Sequence, residues 1–107
     1  MSGRVLEGRV ALVTGASAGL GERFARVLDG AGARVVAVSR RRDRLEALAA
    51  DLTDPLITAG DLTDASFREE VVEAARGRHG RIDILVNNAG ANDIGGGPLD
   101  LRPPALP

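Results

Sequence analysis

Several residue types are missing from this chain of 107 residues, and each absence removes a class of chemistry. There is no cysteine, so disulfide bonds, thiol nucleophiles and thiolate metal sites are excluded. All 14 basic residues are arginine, and the chain also contains no tyrosine and no tryptophan. Any mechanism that needs a lysine amine or a tyrosine hydroxyl is therefore closed to this chain acting alone.

Charge and hydropathy exclude further classes of partner. The formal net charge is −1, so the chain has no basic field that would attract nucleic acid or an anionic membrane. Residues 1–9 lack the apolar core of a signal peptide, and no stretch approaches the roughly 18 apolar residues of a membrane span. We expect a soluble, cytoplasmic protein that binds neither nucleic acid nor membrane.

Three glycines follow the first apolar run. The run Val10–Val13 does not alternate with polar residues, which is typical of a strand buried on both faces of a parallel sheet. Gly15 permits a sharp turn, and Gly19 and Gly21 leave room for a pyrophosphate and for close packing of the next helix. No Gly-Lys-Ser/Thr follows, so the loop is not a P-loop, although a methyltransferase loop remains an alternative at this point.

Strand and helix patterns alternate along the chain. The predicted strands are Arg9–Thr14 and residues 34–39, 56–58 and 82–87. The predicted helices run from Leu20 to about Asp29, from near Asp43 to Leu52, and from Ser66 to a turn bracketed by Gly77 and Gly80. This alternation predicts βαβ units, a parallel sheet and right-handed crossovers. The expected fold is α/β, the N-terminal half of a Rossmann-type doubly wound sheet, with four strands in the order 3-2-1-4 and three helices.

The helices also carry signals for their faces and caps. Asp43 is expected to cap the second helix, and Ser66 with Glu69 to form a capping box for the third. The first helix is expected to bury one face with helical spacing, made by Leu20, Phe24, Val27, Leu28 and Ala31.

A second motif, Asn87-Asn88-Ala89-Gly90, stands at the end of the fourth strand. Together with Thr14-Gly15-x-x-x-Gly19-x-Gly21, it makes residues 6–90 resemble the N-terminal, cofactor-binding half of the short-chain dehydrogenase/reductase (SDR) family. Methyltransferases do not carry this asparagine motif, so the resemblance removes that alternative. It implies a dinucleotide-binding segment over residues 1–90. Four of the five prolines lie in the last ten residues, so we expect residues 91–107 to be a flexible glycine- and proline-rich tail.

The resemblance also implies which residues bind the dinucleotide at the carboxyl ends of the strands. Asp61 and Leu62 would meet the adenine, and Asn88, Ala89 and Gly90 would support the ribose and the sheet edge. The pyrophosphate would be lined by Gly15, Ser17, Gly19, Leu20 and Gly21.

Coenzyme choice depends on the end of the second strand. Relatives that use NAD have an acidic residue there, whereas this chain has Ser39 followed by Arg40. A guanidinium can form charge-assisted bonds with a 2′-phosphate, so we expect NADP(H) to be preferred over NAD(H). The alternative is that all of the arginines after Ser39 form a solvated charge cluster that does not bind the cofactor. We assign this solvated role to Arg42 and Arg44 only. Ala18 counts slightly against NADP(H), because some NADP-preferring relatives have a basic residue at that position.

The reaction implied by the resemblance is hydride transfer between NAD(P)(H) and a carbonyl or alcohol group. The family uses a tyrosine, a lysine four residues later, a serine and an asparagine from a half of the fold that this sequence does not contain. His79 cannot substitute, because it precedes the fourth strand and so lies at the end far from the cofactor. We assign no catalytic or metal-binding residue and expect the chain to be inactive alone.

Two further interpretations stay open. The chain could be a non-enzymatic dinucleotide-binding or interaction module that pairs with a full-length relative. It could also be completed by a separately encoded second half. In the chain by itself the fourth strand would be an apolar edge that the missing half of the fold should cover, which predicts marginal stability or self-association. The substrate cannot be inferred from these residues.

Overall fold

Four strands and three helices alternate along residues 4–88, the part of the chain that the computed structural model describes. The predicted alternation is confirmed, whereas the predicted tail at residues 91–107 lies outside the described residues. The elements are β1 (Val10–Thr14), α1 (Gly19–Gly30), β2 (Arg34–Ser39), α2 (Arg42–Ala49), β3 (Leu56–Ala59), α3 (Ala65–His79) and β4 (Ile84–Asn87).

The four strands form one parallel sheet in the order β3-β2-β1-β4, as predicted. Leu12 in the middle of β1 pairs with Val36 of β2 on one side and with Leu85 of β4 on the other. This is the first half of a doubly wound, Rossmann-type fold. Within residues 4–88, β4 pairs with β1 alone and leaves its other edge open.

Both faces of β1 are buried because helices cover the sheet on each side. Leu12 packs on the face that Val71 of α3 covers. Val13 points to the opposite face and packs in a cluster with Ala25 of α1 and Leu45 of α2. An uninterrupted apolar strand is therefore accommodated without exposing any of its side chains. No helix within residues 4–88 has the length and apolar character needed to cross a membrane.

The buried face of α1 differs in part from the predicted one, because Leu28 packs against the core as expected but three of the other predicted residues do not. The residues with the least exposure are Gly21 and Ala25, whereas Leu20 and Val27 are each 62% exposed and Phe24 is 39% exposed. Small residues face the sheet because α1 approaches the end of β1 so closely that a larger side chain at Gly21 would overlap it. The larger residues Leu20, Phe24 and Val27 form an exposed line, called the α1 stripe below.

The α1 stripe lies on the flank of α1 that points away from α2. On the opposite flank, Arg26 binds Asp51 (3.0 Å), and Asp29 accepts a hydrogen bond from the backbone N–H of Thr53 (2.9 Å) beyond the end of α2. Helix α2 packs on β2 and β3. Because the strand order is β3-β2-β1-β4, the α1 stripe faces the side of the sheet where β4 lies.

Two predicted helix caps are wrong. Helix α2 begins at Arg42, so Asp43 lies in its first turn and Arg41 holds the cap position. Helix α3 is capped by Asp64, whose carboxylate accepts the backbone N–H of Ser66 at 2.9 Å. Asp64 takes this role because its short side chain reaches the free amide two residues on.

Asp83 joins the beginning of β4 to the beginning of β1. Its carboxylate accepts the N–H of Val10 (2.8 Å), and its own N–H donates to the Val10 carbonyl (2.9 Å). Arg81 binds the same carboxylate with two nitrogens, at 2.9 and 2.7 Å. The Arg81 guanidinium, and secondarily the Val10 amide, hold the pKa of Asp83 below its usual value.

Asp83→Asn should reduce stability in a pH-dependent way. A lowered pKa in the folded state means that the ionised carboxylate stabilises the protein above about pH 4, and that this contribution is lost as pH falls through the folded pKa. The wild type should therefore exceed the variant in free energy of unfolding at pH 7, and the difference should narrow as the pH falls below about 4. Urea unfolding across this range is the measurement, and a difference that stays constant with pH would contradict the assignment.

Candidate cofactor-binding site

A cavity of 350 Å³ opens at the carboxyl ends of β1, β2 and β3. It is lined by Gly15, Ser17, Ser39, Arg40, Arg41, Gly60, Asp61 and Leu62. The structure thus brings together residues from three separate parts of the sequence that we predicted to bind the cofactor. Among the predicted residues, Gly19 and Leu20 border a shallower neighbouring depression of 580 Å³ instead.

The glycines of the first loop serve different geometric needs. Gly15 and Gly19 have positive φ values of 65° and 58°, which side chains rarely tolerate. Gly21 is required for space, since a Cβ there would overlap the Gly15 carbonyl oxygen and lie 2.8 Å from Asn88 Nδ2. Helix α1 then begins after Ala18, whose side chain makes no capping hydrogen bond, so its first amides point toward the loop without a side-chain cap.

Two asparagines at the end of β4 contact the neighbouring β1 strand and its loop. The Thr14 hydroxyl lies 3.1 Å from Asn87 Oδ1, and Asn88 Nδ2 donates to the Gly15 carbonyl at 3.4 Å. Asn88 therefore supports the glycine loop from beside it. The next two predicted residues, Ala89 and Gly90, lie outside the described part of the chain.

Ser39 turns the chain so that two arginines reach the cavity. Its hydroxyl accepts the N–H of Arg41 at 3.0 Å, and its carbonyl accepts the N–H of Gly60 at 3.0 Å. Arg40 and Arg41 are both exposed at the cavity, and Arg41 is 3.8 Å from Asp43. The guanidinium groups and the neutral Ser39 give this side of the cavity a positive character.

Asp61 supplies the opposing charge. Its carboxylate accepts the backbone N–H of Thr63 at 2.9 Å. That bond, then the Thr63 hydroxyl, and also the positive charge of Arg40 lower the pKa of Asp61. The same turn is held from behind by Arg68, which donates to the Leu62 carbonyl at 2.6 Å.

Two lining residues, Arg41 and Gly60, were not predicted from the sequence. Gly60 directly precedes Asp61 at the end of β3, and its position beside an assigned residue was the available signal. The structural reason for glycine there is the Phe67 ring, because a Cβ would lie 2.5 Å from it. Arg41 belongs to a run of arginines, and the sequence alone does not show which of them reach the cavity. Arg42 and Arg44 do not line it.

A glycine-rich turn at the start of a helix, above the carboxyl edge of a parallel sheet, is typical of nucleotide-binding α/β proteins. A model of the short chain dehydrogenase family matches residues 9–100. The chain therefore belongs to the short-chain dehydrogenase/reductase family, as the resemblance implied.

Individual relatives are similar over most of this chain. A dehydrogenase/reductase SDR family protein 7-like of Anopheles gambiae is 43% identical over 96 residues, which is 81% of this chain and 30% of the relative. L-xylulose reductase of Bos taurus is 45% identical over 84 residues, 78% of this chain and 33% of the relative. The chain thus spans about a third of the length of these relatives.

The fold is also found in a solved reductase structure. L-sorbose reductase from Gluconobacter frateurii, complexed with NADPH and L-sorbose, superposes with a TM-score of 0.78 and 38% identity. The match covers 85% of this chain and 36% of that structure.

Gly21→Ala should lower the free energy of unfolding by about 1–3 kcal/mol, because the added methyl group forces α1 away from the Gly15 carbonyl. Gly77→Ala in α3 is the matched control: nothing lies within 4 Å of the place that its methyl group would occupy, and alanine favours a helix by up to about 1 kcal/mol. Urea unfolding of both variants is the measurement. A Gly21→Ala protein as stable as wild type would contradict the close approach.

Proposed function

We propose that this chain is the NADP(H)-binding part of an oxidoreductase that transfers hydride between a nicotinamide cofactor and a carbonyl or alcohol group. The observation that carries the proposal is the single cavity that joins the glycine loop, the Ser39–Arg41 turn and Asp61. Membership of the SDR family supports it. The similar L-sorbose reductase, whose structure contains NADPH, supports the choice of cofactor class.

The residues fit the parts of a dinucleotide in order. The pyrophosphate would lie against the amides between Gly15 and Gly21, at the positive end of the α1 dipole. The adenosine would enter the 350 Å³ cavity between Ser39 and Asp61. Asn88 supports the loop that holds the phosphates, through its bond to the Gly15 carbonyl.

Preference for NADP(H) follows from the charges near Ser39. A serine neither repels a 2′-phosphate nor offers the carboxylate that would accept two ribose hydroxyls. Arg40 borders the same cavity, and each hydrogen bond from its guanidinium to the phosphate would contribute about 1.5–3 kcal/mol.

Binding and chemistry are separable in this proposal. The nicotinamide ring supplies or accepts the hydride when the cofactor is bound, whereas the residues of this chain bind and orient the dinucleotide. The family's proton transfer uses a tyrosine and a lysine, and this sequence contains neither. We propose that the chain does not catalyse the reaction alone and that, as the sequence predicts, it acts in the cytoplasm.

Thermal unfolding of the purified chain with NADPH or NADH tests cofactor binding. A ligand at 100 times its dissociation constant adds roughly 2.7 kcal/mol to the free energy of unfolding, so the midpoint should rise. NADPH should raise the midpoint more than NADH at equal concentration. No response to either nucleotide would contradict the proposed function.

Arg40→Gln should weaken NADPH binding by roughly tenfold or more, since at least one charge-assisted bond to the 2′-phosphate is lost. NADH affinity should be nearly unchanged, because NADH has no such phosphate. Arg42→Gln is the matched control, as Arg42 is exposed on α2 and does not line the cavity. Titration calorimetry measures both affinities, and equal losses in the two arginine variants would contradict the assignment to Arg40.

A second role, association with another polypeptide, is favoured by the open edge of β4 and the α1 stripe. Within the described residues, β4 is the edge strand beside β1. The half-buried Val86 of β4 packs on the same face of the sheet as α1. The α1 stripe borders this region with three exposed apolar side chains. An unpaired strand edge beside an apolar surface is a ready template for strand addition. We propose self-association as its simplest form, with a full-length relative or a separate second half as the alternative partners.

Sedimentation equilibrium of the purified chain tests self-association. The double variant Phe24→Ser, Val27→Ser should weaken association by tenfold or more, because it removes apolar area from the α1 stripe. Ala47→Ser, exposed on α2, is the control and should associate like wild type. A wild-type chain that stays monomeric throughout the concentration range would contradict self-association.

A further inference from the structure

Arg40 and Asp61 leave neighbouring strands at the same edge of the sheet. In the parallel register, Ser39 of β2 pairs with Ala59 of β3, and the N–H of Gly60 donates to the Ser39 carbonyl at 3.0 Å. The residues that follow, Arg40 and Asp61, therefore begin beside one another. Both line the same 350 Å³ cavity, so opposite charges border the space where the adenosine is proposed to bind.

The Asp61 carboxylate is fixed by its own turn. Its Oδ1 accepts the Thr63 N–H at 2.9 Å, and the adjoining Leu62 carbonyl is held by Arg68 at 2.6 Å. Thr63 and, to a lesser degree, Arg40 lower the pKa of Asp61, so the carboxylate is ionised throughout the neutral range. A bound dinucleotide therefore meets a permanent negative charge at this position.

We propose that Asp61 is a specificity-determining residue that limits the preference for NADPH over NADH by opposing the 2′-phosphate at Arg40. The inference rests on the proposed function and deepens it. The carboxylate attracts the guanidinium that the phosphate needs, and it repels the phosphate itself, which carries up to two negative charges. NADH has no 2′-phosphate and escapes both effects.

The other acidic residue near the arginines does not fit this role. Asp43 is 3.8 Å from Arg41, but its side chain is 76% exposed and it does not line the cavity. It lies in the first turn of α2. Asp61 is the carboxylate that borders the cavity among the residues that the structure describes.

The experiment measures the dissociation constants of NADPH and NADH for four proteins by titration calorimetry. These are the full wild-type chain, Asp61→Asn, Asp61→Glu and Asp51→Asn. Asp51→Asn is the charge-matched control, because Asp51 binds Arg26 and does not line the cavity. The ratio of the two constants is the readout, since any contact that Asp61 makes with the adenine is common to both nucleotides and cancels.

Asp61→Asn should increase the preference for NADPH by about fivefold, the size of effect expected when one repulsion between nearby charged groups in a water-like dielectric is removed. Asp61→Glu keeps the charge and should preserve the wild-type ratio, as should Asp51→Asn. The gain in Asp61→Asn should shrink in 1 M salt, where the screening length falls to about 3 Å.

The possible failures are distinguishable. If the wild-type chain binds neither nucleotide, the proposed function fails and the inference fails with it. If the wild type binds NADPH but Asp61→Asn leaves the ratio unchanged or lowers it, the inference alone is overturned. An equal increase in Asp61→Asn and Asp61→Glu would also overturn it, because the effect would then come from shape and not from charge.

Discussion

The approach of α1 to the end of β1 is the constraint on which the site depends. Gly21 lies so close to the Gly15 carbonyl that no side chain fits between them. This contact shapes the glycine loop and brings the loop within reach of Asn88 from β4. It also sets the rotation of α1, because the helix turns its small residues to the sheet. The exposure of the α1 stripe is therefore a consequence of the same contact that shapes the glycine loop.

The charges that border the cavity at the carboxyl ends of β1, β2 and β3 belong to residues that follow neighbouring strands. Ser39 is neutral and uses its hydroxyl and its carbonyl to hold backbone groups of the two segments beside it. The arginines that follow meet Asp61 across the cavity. The preference for NADPH over NADH is thus expected to depend on two opposing effects, the attraction of the 2′-phosphate by Arg40 and its repulsion by Asp61. The presence of arginine alone does not set the size of this preference.

Among the described residues, the edge strand β4 lies at the position beside which doubly wound folds bind their nucleotide. In doubly wound folds the nucleotide lies where the strand order reverses, which here is between β1 and β4. The strand that completes this crevice, β4, is also the one with an open edge. The place where the cofactor is proposed to bind therefore adjoins the surface where we propose that another polypeptide associates, and ligand binding and association share the elements β1, β4 and α1.

The sequence by itself determined the fold class, the strand order and most of the cavity lining. Those features follow from local patterns: buried runs such as Val10–Val13, glycines at fixed spacing, and polar residues at strand ends. The same patterns could not show which side of α1 faces the sheet, because Leu20, Phe24 and Val27 have helical spacing whether they are buried or exposed.

Tertiary structure decided the features that depend on residues distant in sequence. The rotation of α1 depends on the space left by the Gly15 carbonyl, and the glycine at position 60 depends on the ring of Phe67. The meeting of Arg40 with Asp61 depends on the parallel register of β2 and β3. A local pattern fixes the type of an element and its possible faces, but only packing against other elements selects one of those faces.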